Sequence, residues 1–324
     1  MEDPKGFKML KSLGMKILIC TDGEENAEKA LIFGGQFAKE LQADVSVLYV
    51  RPKESGMDRI HLSTAREKLT EWDLEIPGVA ILKKAQEILT GLGLTRLLPS
   101  GEVEMRHTFR EGIYGATEIH FIGEHGENVR LRLREGNSTE EILEESEVGQ
   151  YNLIITGSRG HKGITRYFVG STALRIAEHA KCSVLIAKNI RQGDSFLMCT
   201  DGSPLAEKAE IFGAKIAQAL SAKVTVLSIA NESVPIEKAT ERARRAEMIL
   251  SQMGLNPQVK VIEGSPFEVI INEAKDHAIV VMGASGASPV RRFFLGSVPL
   301  KVIEYGECPV LIVREKTQET ENEA

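Results

Sequence analysis

The sequence predicts an α/β protein built as two doubly wound domains in tandem, each a five-stranded, mainly parallel sheet with helices on both faces. Three observations carry that reading. Short apolar strands alternate with helix-length amphipathic segments, as in a parallel sheet covered on both sides. The whole pattern occurs twice: Lys16-Ile17-Leu18-Ile19-Cys20-Thr21-Asp22-Gly23 returns as Ser195-Phe196-Leu197-Met198-Cys199-Thr200-Asp201-Gly202, a shift of 179 positions between Asp22 and Asp201. A spacing of glycines, G-x2-G-x9-G-S, also recurs between a strand and a helix, at Gly157, Gly160, Gly170 and Ser171, then at Gly283, Gly286, Gly296 and Ser297. The chain of 324 residues is long enough for two ordinary cores. The domains are expected over 15–190 and 194–315.

Each repeat opens with a strand that ends at Thr-Asp-Gly. A helix follows, about Ala27 to Leu41 and Ala206 to Leu220, with Ala30, Phe33, Phe37 and Leu41 at helical spacing. Second strands are expected at Val45 to Val50 and Val224 to Ile229. Second helices are expected at Pro77 to Leu92, ending at Gly93, and at Ile236 to Met253, with Gly254 as the stop. Third strands end at Glu135-Gly136 and Glu263-Gly264, and lead to short helices at Thr139 to Glu147 and Phe267 to Ala274. The fourth strands, around Leu153 and Ile279, run into the glycine motifs. Last helices (Thr172 to His179, Val298 to Tyr305) and last strands (Ser183 to Ala187, Pro309 to Val313) complete the repeats.

The repeats differ in length. The first carries 53 extra residues between its second strand and its glycine motif, since the shift falls from 179 at Asp22/Asp201 to 126 at Gly157/Gly283. Alternating segments at Val103 to His107, Glu118 to Phe121 and Val129 to Leu133 predict a β-rich insertion around 94–130 feeding the third core strand. A lid, an interface and a tolerated surface insertion are all open readings of it.

Composition excludes several classes. A net charge of −6 argues against a broad nucleic-acid-binding surface. No stretch reaches the length of a membrane helix, and Met1 to Gly14 lacks the apolar centre of a signal peptide. The four cysteines fall in or beside apolar strands at equivalent positions, Cys20 with Cys199 and Cys182 with Cys308, so buried thiols and a cytoplasmic setting are expected. His107, His120 and His125 fall together in the insertion, and structural roles are expected for them rather than a metal site.

The glycine motifs point to phosphate. Glycine permits close backbone approach, and the helix that follows presents unpaired N–H groups with partial positive charge. In a doubly wound sheet the ligand lies outside the carboxyl ends of the strands, where the Asp22 and Asp201 loops and both motifs are expected. A turn that merely needs glycine explains one copy, and explains two with the same spacing less well.

These residues resemble the universal stress protein family, as two fused domains covering about Met15 to Lys188 and Ser195 to Arg314. In that family the G-x2-G-x9-G-[ST] motif marks the members that bind ATP, and both copies here are intact. The resemblance implies that Thr21 and Asp22, and Thr200 and Asp201, lie by the nucleoside. It implies that Val50 and Ile229 touch the adenine, and that Thr156 and Met282 line the same pocket. Gly157, Arg159, Gly160, Gly170, Ser171 and Thr172 would hold the phosphates in one domain, and Gly283, Gly286, Gly296, Ser297 and Val298 in the other. Arg159, His161 and Lys162 make the first loop the more basic and its site the tighter one. Family members pair through their last strands, which implies an intrachain pseudo-dimer and leaves further homodimerisation open.

The function expected is therefore that of a nucleotide-binding stress regulator, with ATP as ligand and any Mg2+ held mainly by the nucleotide. A slow ATP hydrolase or phosphotransferase is the alternative, disfavoured because neither motif contains Asp or Glu and no Walker sequence occurs. A nucleotide-independent interaction scaffold is the second alternative.

Overall fold

Runs such as Ile17-Leu18-Ile19, Leu153-Ile154-Ile155 and Val280-Val281 are fully buried, as strands inside a two-sided α/β layer must be. The computed structural model describes residues 14–53, 78–111, 117–158, 169–190, 193, 195–284 and 295–315. The chain forms two compact units, Met1–Arg159 and Gly160–Ala324.

The first unit contains β1 (Lys16–Thr21), α1 (Glu25–Glu40), β2 (Asp44–Arg51), α2 (Val79–Gly91), β3 (Met105–Glu111), β4 (Thr117–Ile122), β5 (Asn128–Glu135), α3 (Ser138–Val148) and β6 (Leu153–Gly157). Its strands lie in the order β6-β1-β2-β5-β4-β3. β6, β1, β2 and β5 are parallel, while β4 and β3 add on antiparallel. The insertion thus extends the sheet beyond β5 and turns a would-be edge strand into an interior one. Leu131 and Val129 on β5 are fully buried.

Beside that extension lies a buried cluster of charge. The Glu145 carboxylate on α3, 1 % exposed, accepts hydrogen bonds from Arg132 and, at 3.1 Å, from the Tyr151 hydroxyl. Arg134 lies 3.5 Å from Glu145, 2.8 Å from Glu141 and 3.1 Å from Glu144. Arg132 also meets Glu118 of β4 at 3.5 Å, and His107 of β3 approaches Glu118 at 3.4 Å. Burial raises the Glu145 carboxyl against the pull of Arg132. His107 and His120 face each other edge-on at 5.2 Å, while His125 sits next to Glu127 at 3.4 Å.

The second unit contains α4 (Ser171–His179), β7 (Ser183–Ala187), β8 (Ser195–Thr200), α5 (Pro204–Ala219), β9 (Lys223–Ala230), α6 (Ile236–Gln252), β10 (Gln258–Glu263), α7 (Pro266–Glu273), a 3-10 turn (Ala274–Asp276), β11 (Ile279–Gly283), α8 (Ser297–Tyr305) and β12 (Val310–Val313). The strand order is β10-β9-β8-β11-β12-β7, parallel except for the last pair. Every helix and strand expected from the sequence and lying among the described residues is present, with ends shifted by at most four residues.

The strand that closes the first sequence repeat, β7, belongs to the second unit and runs antiparallel to β12, with Leu185 opposite Leu311. Two basic side chains lock this pairing. Buried Lys188, just past β7, donates to the Ile303 carbonyl near the end of α8. Buried Arg314, just past β12, donates to the carbonyls of Ala177 and Glu178 at the end of α4, at 2.5 and 3.1 Å. Lys188 and Arg314 stand 126 positions apart, as do Ala177 and Ile303, so the two contacts are equivalent. Each base neutralises the carbonyl end of the other repeat's last helix.

Candidate functional site

In each repeat the first strand is flanked by the second on one side and the fourth on the other, so the strand order reverses beside it: β1 between β2 and β6, β8 between β9 and β11. That reversal opens a crevice at the carboxyl ends of the strands. In the first unit it brings together Thr21 and Asp22 at the end of β1, Val50 one residue before the end of β2, and Thr156 and Gly157 at the end of β6. In the second it brings together Thr200 and Asp201, Ile229, and Met282 and Gly283.

The Thr-Asp-Gly turns are built alike. Thr21 Oγ1 accepts the Gly23 N–H at 3.2 Å, and Asp22 Oδ1 accepts the Glu24 N–H at 3.0 Å. Thr200 Oγ1 accepts the Gly202 N–H at 3.1 Å, and Asp201 Oδ1 accepts the Ser203 N–H at 2.9 Å. Gly23 and Gly202 have φ of 80° and 71°, which is why glycine closes both turns. One carboxylate oxygen of each Asp is spent on holding its turn.

Gly157 and Gly283 are not left-handed. A Cβ at Gly157 would lie 3.0 Å from the Asn26 carbonyl oxygen, and one at Gly283 would lie 2.9 Å from the Leu205 carbonyl carbon. These glycines are needed where β6 and β11 cross the first turns of α1 and α5. Substituting them tests packing before it tests any ligand.

Gly296 caps α8 with extended backbone (φ −66°, ψ 159°) and no side-chain cap. Its N–H donates to the Ala284 carbonyl at 2.7 Å, and Ala284 N–H donates to Val313 at 3.1 Å. The second motif is therefore closed on itself, with the start of α8 held against the end of β11. Ser297 is exposed there, and Val298 half-buried. The first intrahelical N–H bond is Leu300 to Gly296, so the amides of Ser297 and Val298 have no helical partner. Position 299 is proline and supplies no N–H.

Gly170 caps α4 in the same way (φ −63°, ψ 148°), again without a side-chain cap. Here the first intrahelical bond is Leu174 to Gly170. Ser171, Thr172 and Ala173 all carry an N–H, one more donor than α8 offers. Arg159, Gly160 and Gly286, and with them His161, Lys162, Ser285, Ala287, Ser288, Arg291 and Arg292, lie outside the described residues.

The cavities match these residues only in part. One of about 220 Å³ opens between α1 and α2 and is lined by Thr21, Gly23, Leu31, Ile81 and Lys84 among others. Another of about 630 Å³ runs along α6 past Ile236, Arg244, Arg245 and Met248, and holds none of the expected site residues.

Sequence reasoning passed over two features of the second site. Pro299 was visible as the third residue of the helix. Glu210, 3 % exposed on the sheet-facing side of α5, stands directly before the matched Ile211-Phe212-Gly213, where the first repeat has Leu31. A charge on an otherwise apolar stripe was the available signal.

Comparison with known proteins agrees with this architecture. The universal stress protein family matches the chain twice, over residues 15–188 and 194–314. A universal stress protein of Synechocystis is 24% identical over 313 residues, which is 92% of this chain and 99% of the relative. One from Thermus aquaticus is 33% identical over 135 residues, 37% of this chain and 98% of its own length. The crystal structure of a universal stress protein from Archaeoglobus fulgidus superposes with a TM-score of 0.63 at 20% identity, covering 94% of this chain and 97% of that one. With the family matched along both repeats, this chain belongs to the universal stress proteins.

Proposed function

We propose that this chain is an adenine-nucleotide-binding regulatory protein of the stress response, with ATP as its ligand. One observation carries the reading. In the second unit an uncapped helix start, with the amides of Ser297 and Val298 and the Ser297 hydroxyl, is tied by Gly296 to the strand end beside Asp201. Such a helix start suits a phosphate, because amides and dipole both favour an anion. The free oxygen of Asp201 suits a ribose hydroxyl, and Ile229 and Met282 supply apolar surface for a base. The same proposal extends to the first repeat on its motif, where α4 offers one more amide. Adenine as the base rests on the family's ATP-binding motif.

The donor set is one for phosphate and nucleoside, not for a resident metal. Neither motif holds a carboxylate, so Mg2+ would arrive with the nucleotide and be held by it and by water. Bound ATP would supply the charge to which the loops respond.

Native mass spectrometry of the full chain with ATP and Mg2+, followed over hours for ADP, tests the proposal. Up to two retained ATP per chain is the expected result. Prompt conversion would move the reading to an enzyme. No nucleotide at millimolar ATP would overturn it in favour of an interaction scaffold.

A further inference from the structure

In each repeat the second helix lays one side chain across the Thr-Asp-Gly turn. A Cβ added to Gly23 would lie 2.8 Å from Ile81 Cγ1 of α2. One added to Gly202 would lie 2.8 Å from Arg242 Cγ of α6 and 3.3 Å from its Nε. Ile81 and Arg242 are 161 positions apart, and so are Lys84 and Arg245 one helical turn on. Lys84 pairs with Glu28 of α1, and Arg245 pairs with Glu207 of α5 at 2.5 Å. Glu28 and Glu207 are themselves equivalent, 179 positions apart. The two repeats thus share one frame around the turn and differ in what crosses it. The first has an alkyl group there and the second a guanidinium.

The frame fixes where that guanidinium lies. The Arg242 stem packs on the bare backbone of Gly202, whose φ of 71° disfavours any other residue. Arg242 is half-buried, and among the described residues it has no ion-pair or hydrogen-bond partner. Its neighbour Arg245 is neutralised by Glu207. Asp201, next to Gly202, spends Oδ1 on the Ser203 N–H and keeps its other oxygen. A planar cation rich in donors and a carboxylate with an uncommitted oxygen therefore flank one turn. In the first repeat Ile81 brings no charge to this place. With Thr21 and Gly23 it lines the cavity of about 220 Å³ between α1 and α2.

We propose that Arg242 is a specificity-determining residue of the second repeat, which takes a nucleotide bearing a phosphate on its ribose as well as at the 5′ position. The inference rests on the nucleotide-binding reading, in which Asp201 meets the ribose. Asp201 accepts from one ribose hydroxyl. A phosphate esterified to the other presents an anion to the guanidinium, whose fork of N–H groups binds phosphate bidentately. In doubly wound dinucleotide sites, too, an acid reads a free ribose hydroxyl and an arginine nearby accommodates a ribose phosphate. The 5′ phosphate goes to the amides at the start of α8. The first repeat, with Ile81, gains nothing from a ribose phosphate.

The test is isothermal titration of the full chain with adenosine 5′-monophosphate, adenosine 2′,5′-bisphosphate and adenosine 3′,5′-bisphosphate at one ionic strength. Wild type should bind one bisphosphate at the second site roughly tenfold more tightly than the monophosphate. Which bisphosphate gains assigns the ester to the 2′ or the 3′ oxygen. Arg242→Gln, which keeps a stem over Gly202 and loses the charge, should remove the gain. Arg242→Lys should keep only part of it, because a point charge does not form the bidentate pair. Ile81→Arg should create the same gain at the first site. No gain in wild type, or a gain that survives Arg242→Gln, would overturn the role of Arg242 and leave the nucleotide reading standing. No binding of any nucleotide, ATP included, would overturn the nucleotide reading and the inference with it.

Discussion

Arg132 and Lys260 hold the same place in the two repeats, 128 positions apart, and so do their partners Glu145 and Glu273. In the second unit the pair Lys260–Glu273 spans 2.6 Å on an edge strand, with a third of the lysine side chain in water. In the first, β4 and β3 have been added beyond the strand, and the pair Arg132–Glu145 is closed off from solvent. What one repeat leaves as a surface ion pair the other has had to build into a network, because two buried charges alone do not recover their hydration. Tyr151 and Arg134 add hydrogen bonds to Glu145, Glu118 adds an ion pair to Arg132, and Glu141 pairs with Arg134. The insertion is therefore bound into its unit by charge as well as by Ile119 and Phe121.

The sharpest way to break this comparison is to remove one base from each pair. Arg132→Met should destabilise the first unit by about 3–5 kcal/mol, because it strands Glu145. Lys260→Met should cost about 1 kcal/mol or less. Chemical denaturation of both variants decides it, and equal losses would mean that the added strands do not isolate the network.

A comparable contrast exists at the helix starts. Ser297→Asp and Ser171→Asp each put an anion where a phosphate is proposed, yet favour the helix itself through its dipole. Each should lower affinity at its own site by roughly a hundredfold and leave the melting temperature unchanged. Calorimetry on the two variants should also find the second repeat the weaker site, since α8 has one amide fewer. Tighter binding in the second repeat would refute that ranking.

Smaller effects follow from pH. His120 donates from Nε2 to Asn128 Oδ1 at 2.9 Å, and burial, with Arg130 beside it, lowers its pKa to about 4. Its folded value lies below the 6.5 of free histidine, so the unfolded chain takes up a proton first. Stability is full above about pH 6.5 and is lost as pH falls towards 4. His120→Gln should flatten that slope in thermal melts. Lys188, pushed down to about 8 by burial, acts in the same direction in a more alkaline window. Between about pH 8 and 10.5 the unfolded state holds the extra proton, so stability should rise with pH, and Lys188→Met should abolish that rise.

The order of elements was legible because each strand is a short apolar run and each helix keeps its apolar stripe. The Thr-Asp-Gly turns were legible too, as only glycine fits their last residue. Three things were not. Nothing local in Gly157 or Gly283 shows that a helix backbone crosses them at about van der Waals distance. Nothing in the spacing of Glu118, Arg132 and Glu145 says that they converge, since β4, β5 and α3 bring them together only in the folded sheet. The alternation of Val129 to Leu133 predicts the strand, but nothing in it shows that Arg132 is buried. Glu210 was readable once the repeats were aligned residue by residue, because Leu31 shows what the position normally requires.

The crossed contacts of Lys188 and Arg314 have a consequence for how such a chain originates. A half-chain ending after Lys188 would carry a base with no helix to cap and a helix, α4, with no base. Two copies of that half would satisfy each other, each lending its lysine to the other. Fusion of the halves turns a concentration-dependent association into an intramolecular one, and frees the copies to diverge, as lysine in one and arginine in the other already record.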